Sequence, residues 1–350
     1  MFKSIDIQNF RGIRHAHIDG FRKINLFFGK NNSGKSTLLE AIFLLSGQSN
    51  PTLPLTINNS RGYSMFTKSD VAIEFHNLDS SKEIKISAKS DLNRSLAITP
   101  YKPTEGEIDL KSLTSDSSTN TSMPYGLSLD YSLGDNGNTY HSEITVSGNG
   151  DDQKASVKID KNYTESLICS LNTSDSLDIN LPDKFAQIIS DKQESPILEA
   201  IRKIDDRIID IHFAEGRLLA DIGAGKRLPI NMLGDGIRKL LSVLIAIINC
   251  KDGIALIDEI DNGLHFSSMQ ILWNAILDTA LTNNVQVFAT THNIDSLQGL
   301  NAALQNGLHP LGKEDVAAFK LLRDSNDELH AVRYSCNQFS YAISQALEIR

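Results

Sequence analysis

The stretch Leu26-Phe27-Phe28-Gly29-Lys30-Asn31-Asn32-Ser33-Gly34-Lys35-Ser36-Thr37 decides the fold of this 350-residue chain. It joins a short apolar run, which predicts a buried strand, to an apolar helix that begins near Lys35. Gly29 and Gly34 allow the loop between them to turn tightly, so that its N–H groups and the helix N-terminus point at one spot. The spacing G-x-x-x-x-G-K-S therefore predicts a site for a polyphosphate.

The residues of this loop have separate predicted tasks. Lys35 is expected to reach the β- and γ-phosphates, and the Ser36 hydroxyl is expected to ligate Mg²⁺. A glycine-containing surface loop before a helix is the alternative, but it does not account for the full spacing together with the flanking strand and helix. The remaining predicted binding residues of the loop are Gly29, Asn31, Asn32, Ser33, Gly34 and Thr37.

Composition narrows the class of protein. A hydrophobic content of 40% is ordinary for a folded domain. The longest apolar run, 240–248, is far shorter than the roughly 20 residues of a membrane span, and the N-terminus lacks the apolar stretch of a secretion signal. We therefore expect a cytoplasmic protein with no membrane partner. Three scattered cysteines, Cys169, Cys250 and Cys336, favour free thiols over a disulfide framework or a zinc site.

Two later segments end in polar residues that suit phosphate chemistry. The apolar run 253–257 precedes Asp258 and Glu259, and the run 285–290 precedes Thr291 and His292. Asp258 is predicted to hold the Mg²⁺ shell, while Glu259 orients and deprotonates the attacking water. A core strand that ends in acids only because it reaches solvent is the alternative, and the phosphate loop argues against it.

The order of these motifs resembles a known class of ATPase. An opening I-x-N-F-R-G-I strand followed by G-x-N-N-S-G-K-S-T looks like the SMC/RecF/OLD branch of ABC-type ATPases. The resemblance implies that Arg11 lies close to the nucleotide phosphates, although it could instead only cap a turn. It also implies that His292 is the switch histidine that senses the γ-phosphate, and that the turn 261–265 contacts a partner subunit.

The same resemblance identifies Gly234-Asp235-Gly236 as the signature loop, which in dimeric relatives reaches the γ-phosphate bound by the partner subunit. The common form is Leu-Ser-Gly-Gly, so Gly234 replaces the serine and Asp235 takes a glycine position. A simple helix cap is the alternative. The glutamine-loop residue is not identified by the sequence, and Gln153, Gln187 and Gln193 remain candidates.

The predicted fold is α/β: a P-loop ABC-type ATPase head with a mostly parallel central sheet, an antiparallel β-lobe and an inserted β-rich and helical segment, without a coiled coil. The N-terminal part of the ATPase domain is predicted over 1–46, the lobe and insertion over 47–206, and the C-terminal part over 207–350. Within the lobe we expect a loop over 47–68, a strand over 71–75, and a helix over 183–206 that breaks near Pro196. The opening strands 2–8 and 14–19 are expected to form a small β-layer with the strand at 23–28, and two or three short strands are expected over 207–231.

The expected reaction is hydrolysis of ATP to ADP and phosphate with Mg²⁺, and ATP is expected to drive formation of a homodimer or a higher oligomer. We expect no nuclease domain of the kind that OLD proteins carry. Stand-alone relatives of OLD ATPases, as in the PARIS and Septu types, suggest an anti-phage defence ATPase that gates a separately encoded effector such as a nuclease. Two alternatives remain: a RecF-like DNA repair ATPase and an ATP-locked scaffold. The net charge of −9 and the absence of basic runs do not indicate DNA binding.

Overall fold

The computed structural model describes residues 1–63, 68–103, 125–135, 137–147, 154–173, 181–305 and 313–344. Within these residues, one mixed sheet of thirteen strands forms the body of the molecule, and a separate sheet of three strands packs beside it. Among the described residues, none of the helices combines the length and the apolar character needed to cross a membrane.

Five neighbouring strands of the large sheet run parallel, in the order β15-β3-β14-β13-β9. They are nearly continuous apolar runs, as expected for strands covered on both faces. Their bounds are β3 Ile24–Phe28, β9 Cys169–Asn172, β13 Ile254–Ile257, β14 Gln286–Thr291 and β15 Val316–Arg323. This confirms the predicted parallel centre.

The rest of the large sheet is mostly antiparallel and continues directly from the parallel part, in the order β8-β7-β6-β5-β4-β1-β2-β16. Buried and exposed residues alternate along its strands, most clearly in β4, so one face of this part of the sheet is exposed to solvent. Their bounds are β1 Ser4–Phe10, β2 Ile13–Asp19, β4 Ile84–Lys89, β5 Arg94–Pro100, β6 Tyr125–Leu133, β7 Thr139–Ser147, β8 Lys154–Lys158 and β16 Glu328–Tyr334. The predicted lobe is thus an extension of the central sheet.

Helices cover both faces of the parallel strands. Alternate residues of β3 enter two cores: Ile24, Leu26 and Phe28 pack into the core that also holds α6 and α7 residues, whereas Phe27 packs into the core that holds α1 residues. The described helices are α1 Lys35–Ser46, α2 Leu53–Ser60, α3 Lys68–Ile73, α4 Leu181–Ser190, α5 Ser195–Ile204, α6 Asp235–Ile248, α7 Met269–Thr282, α8 Ile294–Gln305 and α9 Cys336–Ser344. None of them exceeds 14 residues, so this part of the chain contains no coiled coil.

The two or three strands predicted over 207–231 are three, and they form the small sheet, with β10 Asp210–Ala214, β11 Arg217–Asp221 and β12 Leu228–Pro229. The helix predicted over 183–206 is confirmed as two helices, α4 and α5, and Pro196 lies in the first turn of α5. A proline is tolerated there because the first N–H groups of a helix have no partner within it.

Three local predictions are wrong. Residues 53–60 form α2 rather than a loop, since Pro54 again occupies a first helical turn and Ile57 faces the core. Residues 68–73 form α3 instead of a strand over 71–75, because the buried Val71 and Phe75 also fit helical i,i+4 spacing. The strand at 24–28 does not pair with the opening hairpin, from which β15 and β16 separate it.

Candidate active site

The phosphate loop, residues 29–36, connects β3 to α1 as predicted. A Cβ atom at Gly29 would lie 2.6 Å from the carbonyl oxygen of Leu321 in β15, and Gly29 has a φ of 152°. Gly34, with a φ of 90°, occupies the N-cap of α1 and offers no side chain to cap it. The tight turn therefore requires glycine, and the first N–H groups of α1 are left for another acceptor.

Two polar side chains in this loop have unusual surroundings. The Nζ atom of Lys35 donates to the carbonyl oxygens of Gly29 (2.9 Å) and Lys30 (2.8 Å), so the buried ammonium folds back over the loop. The Ser33 hydroxyl is buried and has no hydrogen-bond partner within the described chain. A buried cation, an orphaned hydroxyl and an uncapped helix start fit a polyphosphate.

The acid turn, residues 258–261, follows β13 directly. It lies at the carboxyl edge of the parallel strands, where Ile257 is paired with Ala289 of β14 on one side and with Asn172 of β9 on the other. Burial lowers the pKa of Lys35, and the acidic residues Asp258, Glu259 and Asp261 oppose that shift. The structure therefore brings the predicted cation and the predicted paired acids into electrostatic reach of each other.

Two threonines at the end of β14 hold this turn, a task that the sequence did not predict for either of them. The Thr290 hydroxyl donates to the carboxylate of Asp258 and accepts the backbone N–H of Glu259 at 2.8 Å. The Thr291 hydroxyl donates to Asp261 at 2.6 Å. Glu259 has a φ of 46°, a left-handed backbone that is uncommon for a side-chain-bearing residue. A Thr-Thr pair ending the neighbouring strand was the available signal.

His292 follows β14 at the same edge and is exposed. The predicted histidine thus lies beside the strand that carries the acids, although its sensing role stays a prediction.

The signature turn, residues 234–236, begins α6 as predicted. Gly234 occupies the N-cap without a side-chain cap, and Asp235 is exposed and pairs with Arg238 at 3.1 Å. A Cβ at Gly263 would lie 3.3 Å from the Asp235 side chain, and one at Gly236 would lie 3.2 Å from Leu264. The signature turn therefore packs directly against the residues that follow the acid turn.

Arg11 lies in a buried ion cluster. Its guanidinium donates to Glu40 of α1 (2.8 Å), to both carboxylate oxygens of Glu74 (3.1 Å each) and to Asn58 (2.6 Å). Burial alone would lower the pKa of Arg11, but Glu74 and Glu40 together raise it. These internal acceptors take four of the five N–H donors of the guanidinium, so one donor is left for a further contact. The nucleotide-proximal role of Arg11 stays a prediction.

Neither of the two glutamine candidates that the structure describes follows a strand beside the acids. Gln187 lies in α4 and donates to Asp191, Gln193 lies between α4 and α5, and Gln153 lies outside the described residues. Asn172, which is buried, instead ends the strand next to β13, and its carbonyl oxygen accepts the N–H of Asp258 at 2.8 Å.

Comparison with known proteins identifies one family and several similar chains. Residues 24–297 match the family model described as "AAA domain, putative AbiEii toxin, Type IV TA system". An ATP/GTP phosphatase from Helicobacter pylori is 27% identical over 331 residues, which is 87% of this chain and 89% of that protein. The DNA replication and repair protein RecF from Nitrosococcus oceani is 42% identical over 52 residues, covering 15% of this chain and 14% of that protein. An SMC head bound to the C-winged helix domain of ScpA is similar with a TM-score of 0.46 and 11% identity, over 95% of this chain and 97% of that one.

Proposed function

Because the chain belongs to the family described as "AAA domain, putative AbiEii toxin, Type IV TA system" and is a P-loop ATP hydrolase, we propose that it cleaves ATP to ADP and phosphate with Mg²⁺ at the phosphate loop. One observation supports this site most directly. Lys35 lies within electrostatic reach of Asp258, Glu259 and Asp261, although the loop and the acid turn are far apart in the chain. A loop cation that faces paired acids is the arrangement that phosphoryl transfer needs.

In the proposed mechanism each part of the site has its own role. Lys35 neutralises charge on the β- and γ-phosphates, and the uncapped start of α1 donates N–H groups to them. Ser36 and Asp258 would hold Mg²⁺, which supplies charge neutralisation between the phosphates. Glu259 orients a water molecule and takes its proton as the oxygen attacks the γ-phosphate, while His292 contacts the departing phosphate from the end of β14.

The protein further acts as an ATP-dependent dimer in which the signature turn of one chain completes the site of the other. Three features support this arrangement. The signature turn has an uncapped helix start, which suits an anion from outside the chain. Met232, two residues before this turn, and Phe266, two residues after the Leu264 that lies near Gly236, are 73% and 64% exposed, which is unusual for large apolar side chains. The contact of Gly263 with Asp235 joins these residues to the acid turn.

ATP turnover then gates a separate effector, in a system of the toxin or anti-phage defence kind. The family description supports this role, because it names a toxin of a type IV toxin–antitoxin system. The division into an ATPase domain over 1–46 and 207–350 with a lobe over 47–206 belongs to the same proposal. A RecF-like role in DNA repair is the second candidate, since a short segment is 42% identical to RecF.

Glu259→Gln tests the hydrolytic site. This variant should bind ATP with Mg²⁺ but release phosphate at least about 100-fold more slowly, since it loses its general base. Light scattering with saturating ATP should show a dimer, and the wild type without ATP a monomer. Wild-type turnover by Glu259→Gln would refute the assigned base, and a monomer under saturating ATP would refute the trans-acting signature turn.

Purification of ATP-loaded Glu259→Gln from its host separates the two biological roles. A stoichiometric protein with nuclease-like acidic motifs supports effector gating. Stimulation of wild-type hydrolysis by duplex DNA, with a steep salt dependence, supports the RecF-like role instead. A wild-type dimer with negligible turnover under all these conditions would support the ATP-locked scaffold.

A further inference from the structure

Lys239 connects the signature helix to the acid turn within one chain. It lies in the second turn of α6, and its Nζ atom donates to the backbone carbonyl oxygen of Asp258 at 3.2 Å. Its neighbour Arg238 pairs instead with the exposed Asp235. A half-buried lysine therefore reaches from the helix that carries the signature turn to the first residue of the acid turn.

The bond from Lys239 completes the support of the acid turn. The N–H of Asp258 donates to Asn172 of β9 (2.8 Å), and the N–H of Ile260 donates to Thr290 of β14 (3.0 Å). β13 ends at Ile257, so the Asp258 carbonyl lies beyond the strand pairing. Lys239 takes this remaining acceptor. The turn is thus held by two neighbouring strands and by α6.

The charge of Lys239 suits this place better than a neutral donor would. Burial lowers the pKa of Lys239, and the surrounding carboxylates of Asp258, Asp261 and Glu259 oppose the shift. The same three carboxylates face Lys35 of the phosphate loop. Two lysines, one from the loop and one from α6, therefore lie within electrostatic reach of the acid turn, and only Lys239 belongs to the signature helix.

A cavity of 610 Å³ adjoins this link. Its lining includes Lys239, Asp235 and Arg238 from α6, Asn262 and Gly263 after the acid turn, and Asn172. Close-packed side chains do not fill this side of the link, so packing alone does not fix the acid turn against α6 there. The position of the turn is therefore sensitive to the bonds that cross between the two elements.

We propose that Lys239 is a positioning residue that ties the acid turn to α6 of the same chain, so that Glu259 is set for hydrolysis only while α6 keeps its present position. This inference rests on the proposed hydrolytic role of Glu259. It makes the signature helix an intrachain control on hydrolysis, in addition to any contact that its first residues make with a second copy.

Lys239→Met tests the link, because methionine keeps the length of the aliphatic chain but removes the charge and the donor. We expect kcat for ATP to fall by about tenfold or more, with KM and the equilibrium Kd for ATP with Mg²⁺ within about twofold of wild type. Lys239→Arg, which restores a charged donor, should recover kcat to within about threefold. Lys251→Met removes an exposed lysine just after α6 and should match wild type.

The split between kcat and binding distinguishes positioning from a general loss of structure. A kcat within about twofold of wild type for Lys239→Met refutes the inference, and so does a parallel rise of KM and Kd at unchanged kcat, which would mark a binding role. If Lys239→Met does not fold, Lys239→Gln, which keeps a neutral donor, provides the same kinetic test against Lys239→Arg. If Glu259→Gln hydrolyses ATP like wild type, the proposed function fails as well; if only the Lys239 variants behave like wild type, this inference alone fails.

Discussion

Thr290 should control the rate of hydrolysis although it contacts neither phosphate nor water in the proposed mechanism. Its hydroxyl donates to the Asp258 carboxylate and accepts the N–H of Glu259 at 2.8 Å. Thr290→Val keeps the shape of the buried side chain but removes both bonds. The Glu259 backbone, with its φ of 46°, then loses a partner that stabilises an unfavourable conformation.

The size of the effect follows from the bonds that are lost. A hydrogen bond to a charged acceptor contributes about 1.5–3 kcal/mol, and a backbone N–H left without an acceptor costs about 1–3 kcal/mol. Water can replace part of this at the partly exposed turn. We therefore expect kcat to fall about 10- to 100-fold, which corresponds to about 1.4–2.8 kcal/mol.

Phosphate release measures this rate, and equilibrium binding of ATP shows whether the site still forms. Thr290→Ser is the matched control, because it keeps the hydroxyl and should remain within about threefold of wild type. If Thr290→Val turns over like wild type, or if the serine variant is equally slow, the threonine hydroxyl does not set the position of Glu259.

Three further outcomes follow from the same contacts. Gly29→Ala should abolish ATP binding and lower the melting temperature, because the added Cβ would collide with the Leu321 carbonyl oxygen. Gly225→Ala should do neither, since open space surrounds the position of its Cβ. Equal ATP affinity in the two variants would contradict this. Arg11→Met leaves the buried Glu74 without its cation and leaves Glu40 with Arg61 alone, so it should lower the free energy of unfolding by about 3–5 kcal/mol. The more exposed Arg61→Met should cost about 0–1 kcal/mol, and equal losses in denaturant unfolding would argue against the buried cluster. Burial raises the pKa of Glu165, but its bonds with Arg94, Leu167 and Tyr163 outweigh this effect and lower the pKa. The contribution of Glu165 to stability is therefore complete above the ordinary glutamate pKa and is lost as the pH falls through the lowered value. The stability difference between wild type and Arg94→Met should shrink on acidification, and a constant difference would refute the pairing.

The sequence predicted the parts of the fold that depend on local pattern. β3, β13 and β14 are short apolar runs followed by loop residues, and their order along the chain placed the phosphate loop, the acids and His292 at strand ends. The α3 segment was missed because Val71 and Phe75 satisfy both alternation and i,i+4 spacing. A stretch of five residues is too short to distinguish the two-residue period of a strand from the 3.6-residue period of a helix.

The contacts that hold the site were not predictable in the same way. Thr290 and Lys239 carry no motif of their own, since one ends a strand and the other lies within an apolar helix. Their importance comes from the residues opposite them, which lie far away in the chain. The burial of Glu74 has the same explanation, because Arg11 from the opening hairpin and Asn58 of α2 both donate to its buried carboxylate.

The antiparallel half of the sheet is joined to the site through the far end of α1. Arg94 of β5 donates to the carbonyl oxygen of Ser46 at 3.2 Å, at the end of the helix whose first turn closes the phosphate loop. A cation is favourable there because the last carbonyl groups of a helix carry partial negative charge. Arg94 also pairs with Glu165 at 2.7 Å, in the segment that leads into β9, and β9 ends at the Asn172 carbonyl that holds Asp258. Through these polar contacts the lobe is joined both to the phosphate loop and to the acid turn, so a partner that displaced β5 would disturb both halves of the proposed catalytic site together.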